Sequence, residues 1–416
     1  MRRDLLVLAL LVLAAGCGER QRLNPFDPGN PVTGGRPPGF EALADDGLVR
    51  LRWNPTPSPD LRGYELFRRI AGETTYVAIS GLIPPSTTAF GDFGLRNGVD
   101  HFYRLYYVFD PGIGGLPAED VATPGPLQPW VADFDRPAAV RLTADGRHIF
   151  GEDDSPLGPT DVAADAGLGV VWISDTGGQR VIVLTPSNGN HVTISGSVQS
   201  PGAIALDPLD GTAWVCDESQ GAVVHFNSNG TVAAPFLLGP FADPLDIATD
   251  PADRSLWVCE RTGDRVAHVS SSGATLGRIA LGAPSRVAVD SATHAAWCTS
   301  FTSGRVYVIS NVPALRDSFG GFQGPVGIAV DGRRGRIWVA DGLANQVVAL
   351  KRDGSEEFRV GGLAEAREIA IDLASGNAWV TFPGAGGVAL ISPAGELIRR
   401  TGGMKRPLGI SLGGVR

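Results

Sequence analysis

Positive charge is scarce in this chain. In 416 residues, 35 Lys and Arg stand against 44 Asp and Glu, a formal net charge of −9. A nucleic-acid partner would need clustered Lys and Arg to displace counterions from phosphates, so the charge balance argues against that class. A membrane-spanning run is missing at the N-terminus: the apolar stretch 5–15 has eleven residues, well short of the roughly 20 that a transmembrane helix needs. Helical periodicity is missing from the C-terminal two thirds. Glycine (56) and proline (31) fill about a fifth of the positions, against roughly 12% in an average protein, which favours turns and short strands. With 43% hydrophobic residues and eight Trp, most of the chain can bury a core and is not of the disordered class. The length suggests two or three domains of roughly 100 to 250 residues.

The chain opens Met1-Arg2-Arg3-Asp4 and runs apolar to Leu13-Ala14-Ala15-Gly16-Cys17. A charged start, a short apolar core and small residues form the pattern of a cleaved export signal. The residues abutting Cys17 resemble a bacterial lipobox, with Ala14 where Leu is usual and Leu13 one place earlier. This resemblance implies cleavage after residue 16 and lipid attachment at Cys17. Gly18 stands where an inner-membrane retention Asp would be, so the resemblance points to the outer membrane of the cell envelope, the alternative being a secreted protein. Membrane contact would then run only through the acylated N-terminus, at roughly 0.8 kcal/mol per buried CH₂. Residues 17–38 carry Pro25, Pro28, Pro31, Pro37 and Pro38 with Gly29, Gly34 and Gly35, the composition of an extended tether.

Residues 39–125 read as short alternating strands. Val49, Leu51 and Trp53 fall on one face with Arg50 and Arg52 on the other, and Gly63–Phe67 and Phe102–Val108 form further strands. Six or seven such strands in about 85 residues fit a β-sandwich. The Pro37-Pro38 start, Trp53 before Asn54-Pro55, the Gly63-Tyr64 strand and the Tyr-rich later strand resemble a fibronectin type III domain, which implies a spacer or adhesion unit.

Residues 126–416 contain an internal repeat. Trp130, Trp172, Trp214, Trp257, Trp297, Trp338 and Trp379 are 42, 42, 43, 40, 41 and 41 residues apart. Seven residues before six of them stands an aspartate: Asp165, Asp207, Asp250, Asp290, Asp331 and Asp372. Each aspartate follows an apolar pair such as Ile204-Ala205 or Ile328-Ala329, led by Pro159, Pro201, Pro244, Pro284 or Pro325, with Ala366 in place of one proline. A 41-residue repeat with several strands and no helix reads as a four-stranded propeller blade, buried on both faces. Trp130 lacks an upstream first strand, while Pro407–Ser411 is a first strand without its Trp strand. Pairing these halves makes six continuous blades and one split blade, seven in all, closed by the C-terminal strand. The motif resembles the NHL repeat. The expected fold class is therefore all-β: a fibronectin type III-like sandwich followed by a seven-bladed NHL-type β-propeller. NHL-type propellers include protein and RNA binders and also enzymes such as streptogramin lyase.

Several residues invite a chemical reading. Gly409-Ile410-Ser411-Leu412-Gly413 has nucleophile-elbow spacing, but Ser411 falls at the Ala position of the repeat. Cys216, Cys259 and Cys298 read as buried packing thiols, since equivalent positions one blade apart are too distant for a disulfide. His225 and His268 share a phase on third strands, away from the axis. Glu152-Asp153-Asp154 offers either a calcium site or a solvated loop. Asp175 with Arg180, and Glu260 with Arg265, read as loop-internal ion pairs.

Propeller ligands meet the face built by the loops before first strands and after Trp strands. This face holds Asp161, Asp246, Arg286, Arg367 and Glu368 near the axis, with Asp217, Glu218, Glu260, Arg261, Phe301 and Phe382 further out. The candidate ligand-binding set is Asp161, Asp246, Arg286, Arg367, Glu368, Asp217 and Glu260, with no catalytic or metal-ligating residue assigned. The expected function is a non-catalytic binding platform for a protein or glycan. The alternatives are a lyase or hydrolase of the streptogramin lyase or lactonase type, which would use a divalent metal at the channel mouth, and a purely structural spacer.

Overall fold

A computed structural model of the chain describes residues 24–185, 187 and 189–414, without the side chains of 234–236. The signal segment and Cys17 lie outside the described residues. The chain divides into two compact units, Met1–Pro124 and Gly125–Arg416. Among the described residues, every regular element apart from a 3-10 turn at Pro383–Ala385 is a strand.

The first unit holds two antiparallel sheets. One joins Glu41–Asp45, Leu48–Arg52 and Ala89–Phe93; the other joins Val77–Ala78, Gly63–Ile70, His101–Val108 and Ile113–Ala122. Alternation places Val49, Leu51 and Trp53 in the core and leaves Arg50 and Arg52 outside. Trp53 meets Tyr64 edge-on at 5.5 Å. Residues 24–36 depart from the expected loose tether. Phe26 packs edge-on against Tyr107 at 4.8 Å and Phe109 at 4.6 Å, and the Tyr107 hydroxyl donates to the Arg36 carbonyl at 2.9 Å. Proline and glycine here shape consecutive turns, and one aromatic ring supplies the apolar surface that docks them.

The second unit is propeller-like and contains seven four-stranded antiparallel sheets among the described residues. Their register explains the repeat. Trp172, Trp214, Trp257, Trp297, Trp338 and Trp379 lie opposite Ala163, Ala205, Ala248, Ala288, Ala329 and Ala370 on the neighbouring first strand. Trp130 lies opposite Ser411, because Pro407–Gly413 pairs with Gln128–Asp133. The seven indoles thus share one environment, all at most 5% exposed. Each first strand touches the next, and Pro407–Gly413 touches both Ile369–Ile371 and Pro159–Asp165. Ser411 sits within a strand, where its hydroxyl accepts the Ala164 N–H at 3.0 Å, a packing role rather than a nucleophile's.

The aspartates seven residues before the tryptophans organise turns. Asp165 accepts the Gly167 and Leu168 N–H groups at 2.7 and 3.0 Å, and Asp290 accepts from Ala292 while also pairing with Arg352 at 2.5 Å.

A second acidic series, three residues after the tryptophans, clamps the loops that lead into first strands. Asp175 accepts the Leu157 and Gly158 N–H groups at 2.9 and 2.8 Å. Asp217 does the same for Gln199 and Ser200, Asp341 for Gln323 and Gly324, and Asp133 for Lys405 and Arg406. The proline that follows has no N–H of its own, so the two preceding donors are the ones left to satisfy. Asp341→Ala would orphan both and is expected to cost about 2 to 3 kcal/mol by denaturant unfolding; a loss below about 0.5 kcal/mol would show that the clamp carries no load.

Candidate functional site

Counting from the leading residue of each first strand, the second following position is Asp161, Ala203, Asp246, Arg286, Gly327, Glu368 and Gly409. Five of these seven line a cavity of about 280 Å³ or contact its lining: Asp161, Asp246, Arg286 and Glu368 border it directly, and a Cβ at Gly409 would strike Asp161. Glycine is required at Gly327 for the same reason, since a Cβ there would overlap the Arg367 carbonyl oxygen. Arg286 is the hub. Its Nε lies 3.2 Å from Glu368 Oε2 and 3.8 Å from Asp246 Oδ1. Burial opposes its charge, but Asp246, Glu368 and Asp161 together raise its pKa above the ordinary arginine value.

The two aspartates also tie neighbouring sheets together. Asp161 Oδ2 accepts the Ile204 N–H at 2.9 Å, and Asp246 Oδ2 accepts the Val287 N–H at 2.7 Å. Burial pushes both carboxyls up to about 7; nearby Glu368 adds to the rise, and Arg286 restrains it. An ordinary aspartate titrates near 3.8, so the folded state holds these protons more tightly than the unfolded chain. Each group therefore contributes stability that is complete below about pH 4 and lost as pH rises through about 7. Unfolding free energy measured at pH 5.5 and pH 8 should fall across that window, and the fall should shrink in the non-titrating Asp161→Asn/Asp246→Asn double variant. An unchanged pH slope in that variant would rule out the two carboxyls as its source.

The first following position forms the outer ring at the mouth: Thr160, Gly202, Leu245, Ser285, Val326, Arg367 and Leu408. Arg367 is its only charged member. Two cavities open here. One of about 240 Å³ is bordered by Thr160, Thr176, Ser200, Glu218, Arg286 and Arg367; the other, of about 310 Å³, by Leu245, Arg261, Phe301, Val326, Arg286 and Arg367. Glu218 is held 3.5 Å from Arg261, which also pairs with Asp243 at 2.8 Å.

Asp161, Asp246, Arg286, Arg367 and Glu368 thus come together around the axis. Asp217 and Glu260 do not join them. Both are fully buried, Asp217 as a loop clamp and Glu260 in ion pairs with Arg265 at 2.7 Å and Arg278 at 3.3 Å while accepting the Ala242 N–H. They follow the Trp strand on the side turned into the sheet stack, which strand alternation decides. Phe382 is likewise core, 5% exposed, whereas Phe301 remains 40% exposed at the mouth. Sequence reasoning missed Thr176 and Ser200; short hydroxyl side chains in variable loops give no signal of their own.

The remaining polar residues have structural partners. His225 stacks on Trp214 at 3.6 Å and His268 on Trp257 at 4.0 Å, and burial lowers the His268 pKa. Glu152 pairs with Arg136, and Asp153 meets His191 at 3.2 Å, so two of the three acidic side chains have partners. Asp175 pairs with Arg180 at 2.7 Å. Cys216, Cys259 and Cys298 are buried thiols. Cys259 and Cys298 face each other from adjacent sheets at 3.8 Å, because they occupy different positions of the repeat; burial pushes the Cys216 and Cys259 thiols up. Among the described residues, no group of three or more His, Cys, Asp or Glu is arranged to hold a metal ion.

The solved structures that resemble this chain are propeller-like proteins. Virginiamycin B lyase from Staphylococcus aureus aligns at a TM-score of 0.53 and 16% identity, over 66% of this chain and 88% of that one. A protein of unknown function from Desulfotomaculum acetoxidans aligns at 0.60 and 12% identity, over 70% and 99%, and apo AztD from Citrobacter koseri at 0.50 and 12%, over 69% and 98%. At such identities the likeness is one of fold. No protein-family model and no curated protein sequence matches the chain.

Proposed function

We propose that this chain is an exported bacterial lipoprotein of the cell envelope, anchored through Cys17, in which a fibronectin type III-like sandwich carries a closed seven-bladed NHL-type propeller. The propeller serves as a non-catalytic binding platform for a protein or glycan. The observation that carries the reading is the mouth. Its outer ring is neutral except for Arg367, it opens into two cavities, and the side chains around it differ from sheet to sheet while the structural positions of the repeat do not. Concave sites with a few placed polar groups are where ligands bind.

The test is capture from cell-envelope extracts with the full chain as bait. A partner held by the native protein and lost with Arg367→Glu supports the platform; equal recovery with both baits would leave a spacer. Elemental analysis of the same preparation separates the enzyme reading, which requires a stoichiometric divalent metal. Incorporation of labelled fatty acid, abolished by Cys17→Ala, checks the anchor.

A further inference from the structure

Arg367 differs from every other charged residue near the axis. The Nε of its guanidinium is buried and has no hydrogen-bond partner, and among the described residues its side chain forms no hydrogen bond or ion pair. Its neighbours are already committed: Glu368 to Arg286, Glu218 to Arg261, Asp161 to the Ile204 and Val162 N–H groups. Burial, with repulsion from Arg286, lowers the Arg367 pKa. A half-buried guanidinium without a protein partner is a cation left available to an anion. The chain keeps one where two cavities meet.

We infer that Arg367 is an anion-binding residue and that the ligand it takes is an organic monocarboxylate with an apolar body of about one ring. A guanidinium matches a carboxylate with two parallel N–H···O bonds. Among the described residues bordering these two cavities, Arg367 is the one cation without a partner, and Asp161, Glu218 and Glu368 stand close by, so a monoanion is favoured over a dianion such as phosphate. The cavity of about 310 Å³ gives the ligand body an apolar wall of Leu245, Pro284, Phe301 and Val326 beside Arg367. Such a group could be a free acid or the C-terminal carboxylate of a peptide.

This inference rests on the platform reading and is tested by titration calorimetry on the full chain. The probes are phenylacetate, phenylacetamide, inorganic phosphate, and a tripeptide ending in phenylalanine as free acid and as amide. Phenylacetate should bind at least about tenfold more tightly than phenylacetamide or phosphate, and Arg367→Met should abolish the difference while Arg367→Lys retains part of it. A free-acid tripeptide that binds more tightly than phenylacetate identifies a peptide terminus as the source; the reverse identifies a free acid. In the absence of ligand, Arg367→Met should keep the native melting temperature, because the half-buried side chain has no protein partner to lose. Equal binding of acid and amide, or a lower melting temperature in Arg367→Met, would overturn the assignment. If partner capture persists while no carboxylate binds, this inference fails and the platform stands; if both fail, the platform falls as well.

Discussion

Trp338→Ala is expected to destabilise the Gly125–Arg416 unit by about 3 to 5 kcal/mol, the range for removing a large aromatic side chain from a packed core. Trp338 is fully buried, lies opposite Ala329, and meets Phe358 edge-on at 5.3 Å. It packs with Val347, Val360, Ile369 and Val380, so it joins its own sheet to the next one. The alanine variant leaves a cavity between two sheets that cannot collapse without moving both. Calorimetry of the full chain should show the larger unit melting earlier, with the transition of the Trp53-containing unit unmoved; Trp53→Ala should do the reverse. A cost below about 1 kcal/mol for Trp338→Ala would mean that the repeated indoles are not what holds the sheets together.

The second large effect concerns the last strand. Ending the chain after Arg406 removes Pro407–Gly413 and bares the edge of Gln128–Asp133, a strand buried at every position. An exposed, flat, apolar edge recruits other chains. The truncated protein is therefore expected to lose cooperative unfolding of the larger unit and to aggregate, as read by calorimetry and light scattering. Ile410→Asp makes the same point with one substitution: Ile410 is 5% exposed and packs with Val131, Val140 and Trp379, so a carboxylate there should cost about 3 to 5 kcal/mol. A monomeric truncation with an unchanged melting temperature would show that the first and last strands do not depend on each other.

Much of this architecture is legible in the sequence alone. Indoles recurring every 40 to 43 residues implied identical sheets, and the register places each opposite Ala or Ser, where a bulky ring needs a small neighbour. The half-repeats at the two ends implied the pairing of Pro407–Gly413 with Gln128–Asp133. The candidate site was only partly legible. Asp161, Asp246, Arg286, Arg367 and Glu368 are legible because their distance from the leading residue of the first strand, Pro or Ala366, sets their height on the axis. Asp217 and Glu260 were misread, because an acidic residue after a Trp strand looks the same whether it faces solvent or caps a buried loop. Residues 24–36 were misread for a related reason: composition records the turns but not the ring of Phe26 docked on Tyr107.

Spacing along one chain is enough to specify the repeat, its phase and the residues at each level of the axis. Which charges are already paired depends on the folded chain. Arg286 and Arg367 are both arginines placed near the axis, yet Arg286 is gripped by Glu368 and Asp246 from two other sheets, while Arg367 is left facing a cavity. Pairing depends on distances between segments as much as 122 residues apart, from Asp246 to Glu368, and no local pattern encodes them.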